Sequence, residues 1–241
     1  MRLTPLTPLL LTAVLAGCTD VEAIHETSDD RQEFALTGKQ LVIDNDGGDL
    51  RVVAGSGTAL VVERSLSGKA TVKGNASWSL GGDTLRLRVT CSGFVPDCGG
   101  RHIVTVPPGV AVKVTSDSPV RAVGLSAALT ASVSDSWLRV ERPTGPLRLD
   151  AGLNVDVTDA ASADVEVSSH DGAAHVSFAS APDRVRARAG GAVDVVLPAG
   201  PETYRVTASP GRSALRSDPA SKRSIAASAG EGRTAQVRKA S

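Results

Sequence analysis

Apolar and polar residues alternate along most of the chain, in short segments that begin after about residue 38. An apolar residue at every second position is the pattern of a β-strand with one buried face, and Gly, Pro, Asp and Asn separate the segments as turn residues do. No segment carries the longer apolar period of an amphipathic helix. The pattern predicts an all-β fold, with longer strands in the first half of the chain and shorter, more regular strands in the second half.

From residue 138 onward, pairs of alternating apolar residues recur at intervals of 17 to 20 residues in two interleaved series. The first series is Leu138/Val140, Val155/Val157, Ala174/Val176 and Val193/Val195, and Ser213/Leu215 extends it at the same spacing with one apolar residue. The second series is Leu147/Leu149, Val165/Val167, Val185/Ala187 and Tyr204/Val206. A repeat of about 19 residues predicts a β-solenoid, in which each turn of chain buries its inward face by stacking in parallel on its neighbours. An antiparallel β-sandwich is the alternative, because its short strands also follow one another about every 8 to 12 residues.

The spacing of charged residues at the outward positions matches this interval. Asp164 precedes Arg184 by one interval. Glu166 precedes Arg186 by the same step, so opposite charges would meet on neighbouring strands. A slip by one residue would instead turn these charges inward. The same alternation predicts that the arginines at 184, 186 and 188 line one solvated face of a strand.

The composition indicates a thin aliphatic core and argues against nucleic acid as a partner. Apolar residues make up 41% of the chain, and 24 Gly and 13 Pro supply turns, so the chain is turn-rich rather than disordered. Aromatic residues make up only 2%, which favours a thin core of Val, Ala and Leu over the wide core of a sandwich or barrel. Basic and acidic residues balance at 26 each. That balance, with so few aromatic residues to stack on bases, predicts that nucleic acid is not a partner.

The first 17 residues have the order of a bacterial export signal: a positive charge at Arg2, a short apolar core over residues 9–14, and small residues before Cys18. The apolar core is too short to span a bilayer as a permanent helix. The run LAGC at 15–18 resembles the lipobox of bacterial lipoproteins, in which the cysteine thiol carries diacylglycerol and becomes the first residue after cleavage. The resemblance implies a lipoprotein signal peptide over residues 1–17 and a lipid on Cys18. A plain secretory signal with an unrelated cysteine is the alternative.

The same resemblance implies that the protein is extracytoplasmic and lipid-anchored to the cell membrane. Two acyl chains on Cys18 supply the two membrane signals that stable anchoring requires. Residues 19–33 are polar and acidic, so we expect residues 18–38 to form a flexible tether after the lipidated cysteine. The β-rich ectodomain is then predicted over residues 39–238.

Two further cysteines, Cys91 and Cys98, are separated by six residues. Outside the cytoplasm, an even pair this close together predicts a disulfide. A metal or redox pair is the competing interpretation, but neither another cysteine pair nor a matched pair of histidines accompanies them. We therefore expect a bridge between Cys91 and Cys98.

A strand, a proline turn and a second strand occur twice, over residues 103–116 and over residues 195–208. The two turns are Pro107-Pro108-Gly109 and Pro198-Ala199-Gly200. With the repeats between them, this pattern resembles the bacterial putative-adhesin domain family over roughly residues 40–237. The resemblance implies a β-solenoid on an envelope protein and interaction at the cell surface, but it carries over no functional residue. The cysteine segment departs from the plain repeat by adding a local loop.

Two turns contain residues that could do chemistry. Residues 44–49, Asp-Asn-Asp-Gly-Gly-Asp, place oxygen ligands at alternate positions as calcium requires, but no Glu follows at the EF-hand distance, and a tight turn uses the same residues. His170, Asp171, His175 and the serines at 168–169 contain the residue types of a hydrolase triad, but no Gly-x-Ser-x-Gly motif accompanies them. A polysaccharide-cleaving groove would need carboxylates, and the candidates are Asp150, Asp156 and Glu166.

The tryptophans offer the clearest binding chemistry, because an exposed indole gives a sugar a flat face on which to stack. Trp137 directly precedes the inward-facing Leu138, so the alternation points Trp137 outward. Trp78 is the second candidate. Either ring could instead plug a thin core.

These observations predict a lipoprotein of the cell envelope whose β-solenoid is an adhesive, structural or partner-binding surface and not an enzyme. Neither a cofactor nor a metal is implied. Beyond the membrane itself, the expected partner is a cell-wall glycan or a surface protein. The alternative is a carbohydrate-binding or carbohydrate-active β-helix protein that acts on wall or matrix polysaccharide, and an accessory role in envelope signalling is a third hypothesis.

Overall fold

A computed structural model describes residues 26–91 and 97–240 of the chain. Within these two ranges the chain forms 21 strands and one turn of 3-10 helix, Lys69–Thr71. The predicted all-β fold is confirmed. No helix in the described ranges is long and apolar enough to cross a membrane. The predicted signal peptide, 1–17, and the predicted lipidation site, Cys18, lie outside the described residues.

The strands form two mixed sheets, called sheet A and sheet B below, and are numbered in chain order. In spatial order, sheet A consists of β1 (Thr27–Phe34), β4 (Leu60–Gly68), β7 (Cys98–Val106), β3 (Asp49–Ala54), β9 (Val120–Val123), β11 (Leu138–Glu141), β13 (Val155–Ala160), β15 (Ala174–Phe178), β17 (Val193–Leu197), β21 (Ala235–Lys239) and β19 (Gly211–Ser213). Sheet B consists of β18 (Arg205–Ser209), β20 (Ser224–Ser228), β16 (Arg184–Ala189), β14 (Asp164–Ser169), β12 (Leu147–Ala151), β10 (Leu129–Val133), β8 (Ala111–Ser116), β2 (Gln40–Asp46), β6 (Thr84–Val89) and β5 (Ala76–Gly81).

From β8 to β17, successive strands alternate between sheet B and sheet A. Within this range, strands that are two positions apart in the chain pair in parallel. A sheet B strand and the sheet A strand that follows it are together called a rung below. Val165 of β14 lies beside Leu147 of β12 and beside Val185 of β16. The predicted pairing of strands one interval apart is therefore confirmed for this part of the chain.

The charged residues of β14 and β16 lie where the alternation predicts them. Asp164 lies beside Arg184 on the neighbouring strand, with 3.6 Å between Oδ2 of Asp164 and Nη1 of Arg184. Arg184, Arg186 and Arg188 are all exposed on one face of β16. Exposed ion pairs of this kind add little stability individually. They fit only one register, because a shift by one residue would turn the charges into the core.

The core lies between the two sheets and consists largely of small aliphatic side chains. In sheet A, β13 contributes Val155 and Val157, and in sheet B, β14 contributes Val165 and Val167, all of them buried. Equivalent residues of neighbouring rungs are in register, so their side chains form columns that run across the strands. Burying one such side chain stabilises a fold by about 1.5 to 3 kcal/mol. Neighbouring rungs therefore hold each other in place.

The last step of the predicted repeat is wrong. β20 lies between β16 and β18, so Val185 pairs with Ile225 and not with Val206. In sheet A, β21 likewise lies between β17 and β19. β20 and β21 carry fully buried aliphatic residues, whereas no residue of β18 or β19 is fully buried. The more polar rung therefore lies at the end of the stack, where no strand of the described residues pairs with its outer edge.

The first strands also depart from a simple repeat. β2 and β3 lie between the β8/β9 rung on one side and β6 and β7 on the other. Beyond these, β4 and β1 continue sheet A in antiparallel pairing, and β5 ends sheet B in the same way. Antiparallel strands therefore close this end of an otherwise parallel stack.

The predicted tether over residues 18–38 is wrong for residues 27–34. These residues form β1, which pairs with β4 along its whole length. Asp30 accepts a hydrogen bond of 2.6 Å from Arg64, and Phe34 packs against the core. Most side chains of β1 stay exposed, so the hydrophobic pattern does not reveal a strand that backbone pairing holds. The folded part therefore includes β1 and does not begin at residue 39.

The predicted disulfide between Cys91 and Cys98 is confirmed. Cys91 follows β6 of sheet B, Cys98 begins β7 of sheet A, and their Cα atoms are 6.3 Å apart. The bridge therefore closes the crossing between the two sheets near the antiparallel end. In the chain-entropy description, a loop of this size stabilises the fold by about 2 to 3 kcal/mol.

One ionisable side chain is fully buried near this end of the core. His102 of β7 lies between Leu50 of β3 and Arg64 of β4 in sheet A. Neither of its ring nitrogens has a hydrogen-bond partner among the described residues. Burial, and to a lesser degree the charge of Arg64, lower the pKa of His102 to about 4. The imidazole is therefore neutral in the folded protein at neutral pH.

Gly152 lets two rungs approach each other at the corner between β12 and β13. A Cβ atom at this position would overlap the carbonyl oxygen of Ser134 in the neighbouring rung. We expect Gly152→Ala to lower the free energy of unfolding by about 1 to 3 kcal/mol, because the two backbones must separate. A Cβ atom added at Gly57 would lie in open space, so the free energy of unfolding of Gly57→Ala should stay within about 0.5 kcal/mol of the parent value. Chemical denaturation measures both variants, and equal stabilities would contradict this account of the corner.

The burial of His102 predicts a stability that falls in acid. The unfolded chain binds a proton at His102 below about pH 6.5, whereas the folded chain does so only near pH 4. As the pH falls between these values, the free energy of unfolding should decrease by about 3 kcal/mol from this group alone. His102→Leu cannot bind this proton, so it should lose about 3 kcal/mol less stability than the parent over this range. Denaturant titrations at neutral pH and near pH 4 measure the difference, and an unchanged pH profile in the variant would show that another group is responsible.

Candidate binding site

The structure places the two candidate tryptophans in different environments. Trp137, directly before β11, lies on the outer face of sheet A and is 40% exposed, as the alternation with buried Leu138 predicts. Trp78 of β5 packs against the core, and the guanidinium carbon of Arg64 lies 4.5 Å from its ring centre. Trp137 therefore offers an exposed stacking face, whereas Trp78 helps to close the end of the core.

Trp137 forms one wall of a groove of about 290 Å³ on the outer face of sheet A. The groove crosses four neighbouring strands, β7, β3, β9 and β11. Its lining includes Asp49, Arg51, Arg101, Pro119, Arg121 and Trp137. We call it the Trp137 groove.

The Trp137 groove exists because large side chains flank two short ones. Arg101 and Trp137 stand at the two ends of a row of outward residues that crosses the sheet. Asp49 and Pro119 lie between them, each directly before a buried residue of its strand. The short side chains of Asp49 and Pro119 leave a depression between the guanidinium at one end and the indole at the other.

Three guanidinium groups and one carboxylate line the groove, which leaves it a net charge of +2. In the described part of the chain, Arg51 and Arg101 have no carboxylate within 4.0 Å. Arg121 is 2.7 Å from Glu141, measured from Nη2 to Oε1. The hydrogen bond between them raises the pKa of Arg121 and lowers the pKa of Glu141. The groove is therefore cationic at neutral pH, with two guanidinium groups available to an incoming anion.

The positive charge continues along the outer face of sheet A as a ladder. Arg51, Arg121 and Arg139 occupy equivalent positions on three neighbouring strands, about 4.8 Å apart. Arg139 lies 5.8 Å from the ring centre of Trp137 and 3.2 Å from Oδ2 of Asp156 on the next strand. Asp156 therefore ends the ladder one strand beyond Trp137.

The Trp137 groove combines two kinds of recognition. Guanidinium groups are planar and bind carboxylates through two parallel hydrogen bonds. The exposed indole presents a flat apolar face of the kind that stacks on rings. Together these groups suit an anion that also carries a flat apolar face.

The acidic turn over residues 44–49 joins β2 of sheet B to β3 of sheet A. Gly47 and Gly48 adopt φ angles of 86° and 88°, which favour glycine and agree with the interpretation as a turn. Asp44 and Asp46 both form ion pairs with Arg88. Residues 26–91 and 97–240 contain no group of three or more His, Cys, Asp or Glu side chains that could hold a metal ion. The turn serves the change from one sheet to the other.

The candidate hydrolase triad is not assembled. Ser169 is buried, and its hydroxyl donates to a backbone carbonyl. His170 follows β14 of sheet B and lies 3.1 Å from Asp150. His175 lies on β15 of sheet A and is 3.3 Å from Asp194. The two histidines therefore lie on different sheets and contact different carboxylates.

The three candidate carboxylates of a cleaving enzyme are also separated. Asp156 lies on sheet A and contacts Arg139. Asp150 and Glu166 lie on sheet B. Glu166 is 2.6 Å from Arg148 on the neighbouring strand. No pair that includes Asp156 can therefore act together on one bond.

Comparisons with known proteins identify similar structures but no family. No protein-family model matches the chain, and no curated protein matches it. A structure described as a "putative cell adhesion protein" from Clostridium sporogenes shares 11% identity, covers 89% of this chain and 99% of its own, and has a TM-score of 0.41. A "putative adhesin" from Bacteroides fragilis shares 13% identity over 88% of this chain and 97% of its own, with a TM-score of 0.37. A "putative lipid binding protein" from Parabacteroides distasonis shares 10% identity over the same fractions, with a TM-score of 0.32. At such identities and scores, we transfer none of their functions to this chain.

The sequence indicates the outward position of Trp137 but not which arginines lie beside it. Arg51, Arg101 and Arg121 are distant in the chain, and the strands that carry them are neighbours only because β3 lies between β7 and β9. Each follows or precedes a buried residue on its strand, which marks it as outward. That pattern alone could have placed them on a surface, but only the strand order brings them to one groove.

The charge of the groove predicts how ions quench the fluorescence of Trp137. In Trp78→Phe, all tryptophan emission comes from Trp137. Relative to free tryptophan, we expect iodide to quench this emission more strongly than caesium does, because guanidinium groups concentrate anions beside the exposed indole. The matched variant Trp137→Phe leaves only the partly buried Trp78, which both ions should quench less. A preference for caesium in Trp78→Phe would contradict the cationic character of the groove.

Proposed function

We propose that this chain is an extracytoplasmic lipoprotein, anchored to the cell membrane through a lipid on Cys18, whose folded part is a non-catalytic binding surface. The observation that carries the proposal is the Trp137 groove, in which an exposed indole and guanidinium groups meet on an open sheet face. Such a groove recognises a partner outside the fold, because no described segment of the chain fills it. The partner is a component of the cell surface or of its surroundings.

We also assign the fold as a β-solenoid rather than an antiparallel sandwich. The five rungs from β8/β9 to β16/β17 pair with one another only in parallel. A chain that winds between two sheets produces this pairing, with each rung stacked on the last. The two sheets of a sandwich are antiparallel. A solenoid presents a continuous outer face on which a groove can cross several strands.

A lipid on Cys18 would keep the antiparallel end of the stack near the membrane. Eight residue steps separate Cys18 from Glu26, which allows at most about 29 Å between them. The carbonyl oxygen of Glu26 accepts a hydrogen bond from Gly68, at the end of β4. Only β4 separates β1 from β7, which lines the groove. The groove would therefore face a partner close to the anchored end.

A carbohydrate-cleaving enzyme is the second candidate, because the exposed Trp137 suits a sugar in either case. Most glycoside hydrolases use two carboxylates that flank the scissile bond. The Trp137 groove has one, Asp49, among three arginines. This composition favours holding an anionic ligand over cleaving it.

Cys18→Ala should move the protein from the membrane fraction to the soluble extracytoplasmic fraction, since the variant lacks the thiol that would carry the acyl chains. Cell fractionation followed by immunoblotting measures the distribution. The matched control is the double variant Cys91→Ser/Cys98→Ser, which loses the disulfide but keeps Cys18 and should stay with the membrane. Retention of Cys18→Ala on the membrane would show that the anchor is elsewhere.

A further inference from the structure

We propose that the Trp137 groove binds a carboxylate-bearing sugar unit of an acidic polysaccharide. This inference rests on the proposed function of the chain as a binding surface and names the ligand class of that surface. The groove volume of about 290 Å³ lies near the lower limit of small-molecule sites. It therefore takes one or two sugar rings rather than a folded partner.

The close spacing of the arginines favours a bound anion. Arg51 pairs directly with Arg121 across two strands, and Arg121 pairs directly with Arg139 on the next. Like charges directly opposite each other in a sheet are destabilising. Glu141 and Asp156 neutralise Arg121 and Arg139 in part, but Arg51 and Arg101 gain no such contact within the described residues. A bound carboxylate at Arg51 and Arg101 relieves the remaining repulsion. It gives these two arginines an acidic partner like those of Arg121 and Arg139.

The indole selects a sugar over a simple anion. A pyranose ring has an apolar face formed by its C–H groups, and a flat aromatic ring offers that face a matching surface. Trp137 stands at the opposite end of the groove from Arg101, with the short side chains of Asp49 and Pro119 between them. Because the outer two strands of the groove are about 14 Å apart, a ring stacked on Trp137 directs the next ring of the chain, with its carboxylate, toward Arg51 and Arg101.

The direction of the groove indicates how a longer chain would lie. The groove crosses β7, β3, β9 and β11, and four strands span about 14 Å between the outer two. The arginine ladder follows the same direction, across the strands. The polysaccharide therefore lies across the strands, parallel to the axis of the stack. Asp156 contacts Arg139 and ends the arginine ladder, so we expect the bound segment not to extend beyond Arg139.

The test uses the full-length chain with Cys18→Ala, so that a lipid on this residue does not obscure the readout. The probe is a polygalacturonate oligosaccharide, and the matched control probe is the same oligosaccharide with its carboxylates methyl-esterified. Isothermal titration calorimetry should show that esterification weakens binding at least about tenfold, because charged hydrogen bonds are lost. Raising the salt concentration should weaken binding of the acidic probe and leave the ester unaffected.

Variants locate the site. Trp137→Ala, Arg51→Gln and Arg101→Gln should each weaken binding of the acidic probe about tenfold or more. Trp137→Phe keeps an aromatic face and should retain more affinity than Trp137→Ala. The control is Arg186→Gln, which removes an exposed arginine from sheet B on the opposite side of the stack and should bind as the parent does. Unchanged thermal unfolding in all four groove variants excludes misfolding as the cause of any loss.

Three results would overturn the inference. The first is equal affinity for the acidic and the esterified probe. The second is a loss in Arg186→Gln as large as in Arg51→Gln, because binding would then follow overall charge. The third is that the acidic probe does not bind, and binding of phosphatidylglycerol vesicles in a Trp137-dependent manner would then assign the groove to a membrane surface. Shortening of the oligosaccharide would instead contradict the non-catalytic part of the proposed function, and membrane retention of Cys18→Ala would contradict the anchor. Neither of those outcomes changes the assignment of the groove.

Discussion

Each rung of this protein depends on the rungs beside it for its backbone hydrogen bonds and for the contacts of its inward side chains. Two strands of four to six residues cannot bury enough apolar surface to be stable alone. Parallel pairing at about 4.8 Å brings aliphatic side chains such as Val165 and Val185 into register. It also brings backbone at the corners so close that Gly152 has no room for a side chain. Stability is therefore distributed along the stack rather than concentrated at one centre.

The same dependence on neighbours creates a difficulty at the two ends, where a strand edge has no partner and could pair with another chain. At one end, β4 and β1 pair antiparallel, and the outermost strand, β1, carries charged and mostly exposed side chains. At the other end, β19 has only three residues, and β18 has no fully buried one. Short, charged or poorly packed end strands are poor templates for further pairing. The regular spacing between the ends also sets the arginine ladder, because residues at equivalent positions repeat at the strand separation.

Much of the architecture could be predicted from the sequence, because inward and outward positions alternate with few exceptions in the second half. The neighbours of Val165, the ion pair of Asp164 with Arg184 and the outward position of Trp137 all follow from that alternation. The pairing of the final strands could not be predicted, because Val206 and Ile225 have equally suitable patterns and only the burial of complete rungs decides between them. β1 was missed because backbone hydrogen bonds hold it while its side chains remain exposed.

For the groove, the sequence supplied the indole but not its surroundings. Arg101 and Arg51 lie in the same groove as Trp137 because the strand order places β3 between β7 and β9. Local patterns contain no information about that order, since it depends on which edges remain open after the other strands have paired. The disulfide could be predicted because Cys91 and Cys98 are close in the chain, so their pairing does not depend on the order of strands in the sheets.

The position of β20 and β21 inside the stack has a consequence for the way the chain reaches its native form. These strands are synthesised after β18 and β19, yet they lie between them and the rest of the stack. β18 pairs only with β20, and β19 pairs only with β21, among the described strands. The final neighbours of β18 and β19 therefore exist only once the later part of the chain is available, so the order of pairing at this end differs from the order of the chain.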